Sequence, residues 1–420
     1  MFIVRLYHEL FNKKNIENPY HRQCIALILS IWLNCMIYFR AKMKQGSLDC
    51  RCTPVLFLSK NNINRVIKVA LSYSEALFLY CFKKIKDERT IYSLFHLFQG
   101  KKSSQTIQDA HLYNLTPFFQ AFPFLTRQEL ESRVISLHNK GLLIQKAPEH
   151  FTLSDKGEGE LGLFVAGRPM PPSYLDGWKY HHLTSLFWQR LSLLVQVTSN
   201  LVHQKRQFIP VQNKQETLEW VKDYIRRQNL SREKLGHGIF KELSRCLIQG
   251  EGEPAVLVRR LTGHDKFGLT SIQAADELGM EHIHYRLEFL NILHFILHKA
   301  VEEPGCFPLL DGIIRDIEKP VPFTLSTEKT YELIKKGYTP GQIAQARNLK
   351  LSTIEDHIVE IALHLKEFDL EAYVPKSKQE RILQAAQNTS AKKLKQIRDQ
   401  VADADYFEIR LVMAKYGDKS

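Results

Sequence analysis

The chain lacks most of the features that would place it quickly. Its seven cysteines, at positions 24, 35, 50, 52, 81, 246 and 306, form no Cys-x-x-Cys pair. An odd number without paired knuckles excludes the disulfide framework of a small secreted domain and the zinc ribbon, and it fits a reduced, cytoplasmic compartment. No glycine stands five places before Gly100-Lys101-Lys102-Ser103, so the phosphate-cradling loop of an NTPase is absent. There is no Gly-x-Ser-x-Gly elbow, no His-Glu-x-x-His helix and no set of carboxylates spaced for two metals. The expectation is a protein that is not an enzyme and carries no cofactor or metal. Long apolar runs are missing too. The segment 23–39, nearly all apolar from Cys24 to Phe39, falls short of the about 20 residues that a spanning helix needs, and Ser30 and Asn34 interrupt it. It reads as an interfacial anchor, a signal-like stretch or a buried helix, and membrane association is disfavoured.

What is present is ordinary for a globular chain. Apolar residues make up 44% and charged ones 25% of the 420 residues, which allows order over a length that divides into two to four domains. The formal net charge of +13 favours polyanionic partners, because cations gain free energy by displacing counterions from phosphates. Roughly half of that excess lies in residues 1–65, where ten Lys/Arg face Glu9, Glu17 and Asp49. This stretch is an unassigned N-terminal extension. Capped helical patterning begins only near Ile67, and translation of the native chain is expected to start near Val66.

The expected fold class is mainly α, a multi-domain helical protein with an N-terminal winged-helix-like unit, residues 66–166. Apolar residues recur at helical spacing from Val69 to Lys86, and Ile91, Leu94, Phe95 and Phe98 continue the pattern to a stop at Gly100. Two lysines and two serines then turn the chain into a short helix with Ile107 and Leu112. Thr126 with Glu129 forms a capping box before a third helix lined by Leu130, Val134 and Leu137. Leu142–Gln145 and His150–Leu153 read as a hairpin around the turn at residues 146–149. In such a unit the third helix lies in the major groove with Arg127, Gln128, Ser132 and His138 near its outer face, and Lys101 and Lys102 meet phosphates. The plain alternative is a helical unit whose lysines are merely solvated.

After the break Gly167–Pro172, residues 174–318 read as a helical middle domain, with helices at Trp178–Val202, Leu218–Arg227 and within Leu269–Ala300. Gln273–Arg286 faintly resembles two helices of a helix-turn-helix, although Tyr285 and Glu288 stand where apolar residues belong. His294 and His298 have a spacing that can chelate a metal, but their apolar neighbours favour structural histidines.

Residues 324–420 carry the clearest signals. Ser326 precedes a helix stopped at Gly337, and Thr339-Pro-Gly-Gln342 supplies an N-cap, a first-turn proline and a reciprocal glutamine. Ser352 with Glu355 reads as another capping box, and Ile354, Ile358, Ile361 and Leu365 repeat along one face of a long third helix. Its expected exposed positions are Ser352, Thr353, Glu355, Asp356, His357 and Glu360. Three acids there repel phosphates, so the cations must come from Arg347, Lys350 and a basic tail of Lys376, Lys378, Arg381, Lys392, Lys393, Lys395 and Arg398, which faces only Glu380 and Asp399.

The string from Gln342 to Ile358, introduced by Gly337-Tyr-Thr-Pro-Gly341, resembles the helicase-associated helix-turn-helix domain at the C-termini of RecQ-type DNA helicases. More distantly it is similar to response-regulator DNA-binding heads, with Asn348 in place of their glycine; asparagine also takes the left-handed backbone. Upstream, Glu88-Arg-Thr-Ile-Tyr-Ser-Leu-Phe-His96 and Gly100-Lys-Lys-Ser-Ser-Gln-Thr-Ile-Gln-Asp109 resemble the YpbB family of bacillus-type bacteria from about residue 66 to the end. That resemblance implies a non-motor protein associated with a RecQ-type helicase. The combined expectation is a DNA-binding accessory protein in repair or recombination. Its candidate DNA contacts are Arg347, Lys350, Ser352, Thr353, His357, Lys392, Lys393, Lys395 and Arg398, with Lys101, Lys102 and Arg127 on the N-terminal unit. The alternatives are a helix-turn-helix transcriptional regulator and a purely protein-binding adaptor.

Overall fold

Caps and left-handed residues set the element boundaries in this computed structural model, which describes residues 71–317, 324–365, 367–388 and 394–416. The extension 1–65, its segment 23–39, and Lys392 and Lys393 lie outside the described residues. Helix α1 (Tyr73–Ile85) starts at Ser72, whose hydroxyl accepts from Glu75 N while the Glu75 carboxylate accepts from Ser72 N. The continuous first helix expected from the apolar spacing is in fact two. Lys86 turns left-handed, with φ 52°, and the polar run Lys86–Thr90 separates α1 from α2 (Ile91–Gln99). Gly100 then ends α2 in the left-handed conformation. Helix α3 (Ser104–Leu112) follows, then a 3-10 turn at Thr116–Phe118 and α4 (Arg127–Asn139), capped by Thr126 and Glu129 as expected. Strands β1 (Leu143–Ala147) and β2 (His150–Leu153) form an antiparallel hairpin with Leu143 opposite Leu153, and α5 (Asp155–Gly167) closes this unit.

The middle of the chain is built on α6 (Gly177–Val202), α7 (Gln215–Arg227), α8 (Arg232–Gln249), α9 (Ala255–Val258), α10 (Ser271–Glu277), α11 (His282–Glu302) and α12 (Pro308–Asp311). Helix α8 was not foreseen, because Gly236 and Gly238 weaken its local helix signal. Gly238 faces Leu309: a Cβ there would come within 2.7 Å of Leu309 Cδ1, and the leucine end would have to shift. Between α10 and α11 the chain turns at Gly279, φ 61°, after a Thr270–Gln273 capping box. Tyr285 occupies an apolar position of this pair because its hydroxyl is satisfied, donating to Val256 O at 2.6 Å. His294 is buried; its Nδ1 accepts from Asp176 N at 3.0 Å and its Nε2 lies 3.0 Å from Thr184 Oγ1. Since that hydroxyl already donates to Tyr180 O, Nε2 carries the proton.

Buried apolar side chains form three clusters. One spans Tyr73 to Leu175, a second Tyr180 to Ile314, and a third Ile343 to Met413. The first also takes Leu287 and Leu290 from α11, so one long helix belongs to both of the first two cores. The third holds α13 (Leu325–Lys335), α14 (Pro340–Arg347), α15 (Leu351–His364), α16 (Lys376–Asn388), α17 (Leu394–Gln400) and α18 (Tyr406–Tyr416). The molecule is mainly helical, with a small two-stranded sheet.

Candidate nucleic-acid interface

Helices α13, α14 and α15 form the helix-turn-helix unit. Thr339 Oγ1 and Gln342 Oε1 exchange the two hydrogen bonds of a capping box at the start of α14. At its end Asn348 adopts φ 50° and ψ 48°, and Leu349 N returns to Ala344 O at 3.0 Å. Ile343, Ile354 and Ile358 are fully buried between the helices. Two expected caps move by a residue or two. Helix α13 is capped by Thr324, which leaves Ser326 inside its first turn, and α15 starts after Lys350 with no side-chain cap, so Ser352 and Glu355 form no capping box.

The candidate readers divide into two sets. Lys350 and Ser352 are exposed, Thr353 is half-buried, and Leu351 beside them is 49% exposed, so the tip of α15 is open to a ligand. Arg347 and His357 are turned inward instead. Arg347 Nη1 donates to Ser326 O at 2.7 Å and to Thr330 Oγ1, and Nη2 donates to Ser326 Oγ at 3.0 Å. Thr330 in turn meets His357 Nδ1 at 2.8 Å. His357 is buried, and burial, with the nearby Arg347 charge, pushes its pKa down to about 4, so it is neutral and unable to face a phosphate. Glu360, also expected outside, is buried; its carboxylate accepts from Thr324 N and Thr327 Oγ1, each at 2.6 Å, and so caps α13 from across the unit. The cause is shared: α13 crosses α15 along the face that holds residues 357 and 360.

Much of the remaining outer face of α15 is covered by the N-terminal unit. Val359 is buried, and Leu363 borders a cavity of about 90 Å3 shared with Gln108, His111 and Leu112 of α3 and with Met413 of α18. Arg410 of α18 ties the three helices together. Its Nε donates to Gln108 Oε1 at 2.9 Å, and its Nη2 is paired with the Asp356 carboxylate. At the end of α15, the His364 ring stacks on Trp178 with centroids 5.4 Å apart.

The expected basic tail is folded rather than loose, and part of its charge is spent internally. Lys378 pairs with Glu408 at 2.9 Å, Arg381 with Asp403 at 2.6 Å, and Lys376 with Glu371 at 3.2 Å. The two acids considered from sequence, Glu380 and Asp399, are not the ones that neutralise these cations. Arg398 lies over the Tyr406 ring at 4.7 Å, and Lys395 is exposed. Sequence reasoning missed Lys335, Lys336 and Tyr338, which are exposed immediately before the cap of α14; the adjacent lysines ahead of Gly337 were the available signal. In the N-terminal unit Lys101 and Lys102 are exposed, while the Arg127 guanidinium sits over Tyr92 at 5.1 Å and Phe95 at 5.7 Å. No hydrogen bond or ion pair among the described residues links these three to the C-terminal unit. No helix among the described residues is long and apolar enough to cross a membrane.

A helix-turn-helix domain family matches residues 326–413, the stretch from α13 to α18. The chain is 35% identical over 350 residues to Protein YpbB of Bacillus subtilis (strain 168), a match covering 83% of this chain and 98% of that one. The chain belongs to the YpbB family. In this YpbB-family protein the matched domain contains the open tip of α15, the inward Arg347–Thr330–His357 chain and the Arg410 tie to α3. No solved structure matches.

Proposed function

We propose that this YpbB-family protein is a non-enzymatic DNA-binding accessory factor that works beside a RecQ-type helicase in repair or recombination. The observation that carries the DNA-binding part is the exposed tip of α15, with Lys350, Ser352 and Thr353 beyond a helix-turn-helix core. A short second helix then approaches the backbone with its N-terminus, whose dipole favours an anion although the Thr339–Gln342 capping box occupies two of its amides, and Lys335, Lys336 and Tyr338 lie next to that end in the chain. In this reading phosphate contacts position the unit and Ser352 and Thr353 read base edges; the exposure of Ser352 and the partial exposure of Thr353 support it. Lys395 and Arg398 extend the cationic surface, and Lys101, Lys102 and Arg127 belong to a second, winged-helix-like contact. The helicase part is supported by the resemblance of Gly337–Ile358 to the helicase-associated domain. The absence of NTPase and hydrolase motifs supports a role without chemistry of its own.

One observation favours the adaptor reading: Asp356, on the acidic face of α15, is engaged by this chain's own Arg410 and Gln108, which leaves that face less open to a phosphate backbone. Native co-purification followed by binding to duplex, forked and single-stranded DNA separates the two. Recovery of a RecQ-type helicase together with salt-sensitive DNA binding is the expected result. Helicase recovery with no DNA binding leaves an adaptor, and footprints at defined promoters without helicase leave a regulator.

A further inference from the structure

A cleft of about 360 Å3 opens where residues 117–124 meet α6 and α11, and its wall contains Arg286, His181, Gln120, Ser185 and Trp188 but no carboxylate. Arg286 Nε donates to Ala121 O at 3.1 Å. No acid among the described residues pairs with its guanidinium, and the charge that acts on it is a second cation, Arg260. Arg260 lies over Phe289 at 4.9 Å and Trp188 at 5.6 Å, two rings that also line the cleft. Burial, with the Arg260 charge, lowers the Arg286 pKa to about 10. A guanidinium gives up water at little cost only to an oxyanion, and its planar fork matches a phosphate.

Two further features suit the rest of such a ligand. His181 Nδ1 donates to Trp178 O at 2.8 Å, so Nε2, buried with no hydrogen-bond partner, is the lone-pair side of a neutral ring and accepts from an N–H or O–H donor rather than meeting a phosphate oxygen. At the mouth, Phe124 is 90% exposed, an aromatic face with nothing on it. The wall is fixed in place by Gly177, where a Cβ would meet Phe119 O at 2.2 Å, so the start of α6 lies directly on the loop.

We propose that this cleft binds the phosphate of a nucleotide unit, held by Arg286, with the base against Phe124. The ligand is a free mononucleotide or the phosphorylated end of a single strand; the two share the chemistry. The site uses no residue of the helix-turn-helix unit, so it stands or falls apart from the function proposed above.

Calorimetric titration of the full chain with inorganic phosphate, dAMP, deoxyadenosine, and short single strands with and without a 5′-phosphate tests it. dAMP should bind at least about tenfold more tightly than deoxyadenosine, the expected weight of a charge-assisted phosphate contact. F124A should weaken dAMP and leave inorganic phosphate unchanged. R286Q should abolish both, and because Arg286 also anchors Ala121, S185D serves as the second variant. It places a carboxylate on the exposed wall of the cleft and should cut dAMP affinity about tenfold with no change in Tm. A gain from the 5′-phosphate on the strand supports a strand end as ligand, and dAMP binding without such a gain supports the free nucleotide. Absence of binding by dAMP and phosphate at millimolar concentration, equal binding of deoxyadenosine, or dAMP binding indifferent to S185D would overturn the proposal.

Discussion

Arg347 and His357 look like readers in the sequence, yet both are committed to the inside of the helix-turn-helix unit through Thr330. R347A is therefore expected to act on stability. Removing a guanidinium that satisfies Ser326 O and Thr330 should cost about 1–3 kcal/mol, seen as a lower urea midpoint, with little change in the salt dependence of DNA binding. The buried histidines make a second residue-level prediction. Burial lowers the pKa of His357 to about 4 and that of His294 to about 3, so both are neutral when folded. The unfolded chain takes up these protons from about pH 6.5 downward, and between that pH and about 4 it binds more protons than the native state. Stability is thus complete above about pH 6.5 and declines as pH falls, by about 2 kcal/mol for each such histidine at about pH 5. H357Q should flatten the slope of the denaturation midpoint against pH; an equally steep slope would locate the protons elsewhere.

At the scale of elements, the helix starts that depend on nearby residues could be read directly. Thr126–Glu129 and Thr339–Gln342 each involve side chains within a turn of the backbone they satisfy, and the helix end at Asn348 depends on that residue's own left-handed conformation. T339A should cost about 1 kcal/mol, whereas N348G should be neutral or slightly stabilising and N348V clearly destabilising, because a β-branched residue at φ 50° is strained. Equilibrium unfolding of the three variants checks the order. What the sequence concealed depended on distant contacts. The break after Ile85 falls in a polar run that a helix also tolerates, and the two glycines of α8 face distant side chains, Gly236 meeting Val202 and Gly238 meeting Leu309. The inward turn of residues 357 and 360 is set by α13 crossing α15, and the covering of Asp356 by a helix some 250 residues earlier in the chain, at Gln108.

At the scale of the whole molecule, the third helix of the helix-turn-helix unit is docked on α3 along much of its outer face, with its tip left open. R410A, combined with Q108A, should loosen that docking and, by leaving the Asp356 carboxylate without its cation, lower the anisotropy-measured affinity for duplex DNA. It should also change the fluorescence of Trp178, which stacks on His364 at the same junction. The account rests on the tip of α15 and its lysines meeting a phosphate backbone. Its most direct test is an anisotropy titration of labelled duplex DNA with the full chain and with the K335Q/K336Q/K350Q variant across a range of salt concentrations. The account predicts that the native chain loses affinity steeply with salt and that the variant binds more weakly with a log–log slope smaller by about 3, roughly one unit per lost phosphate contact. Binding that is absent even in dilute salt, or a slope the three substitutions leave unchanged, would contradict it.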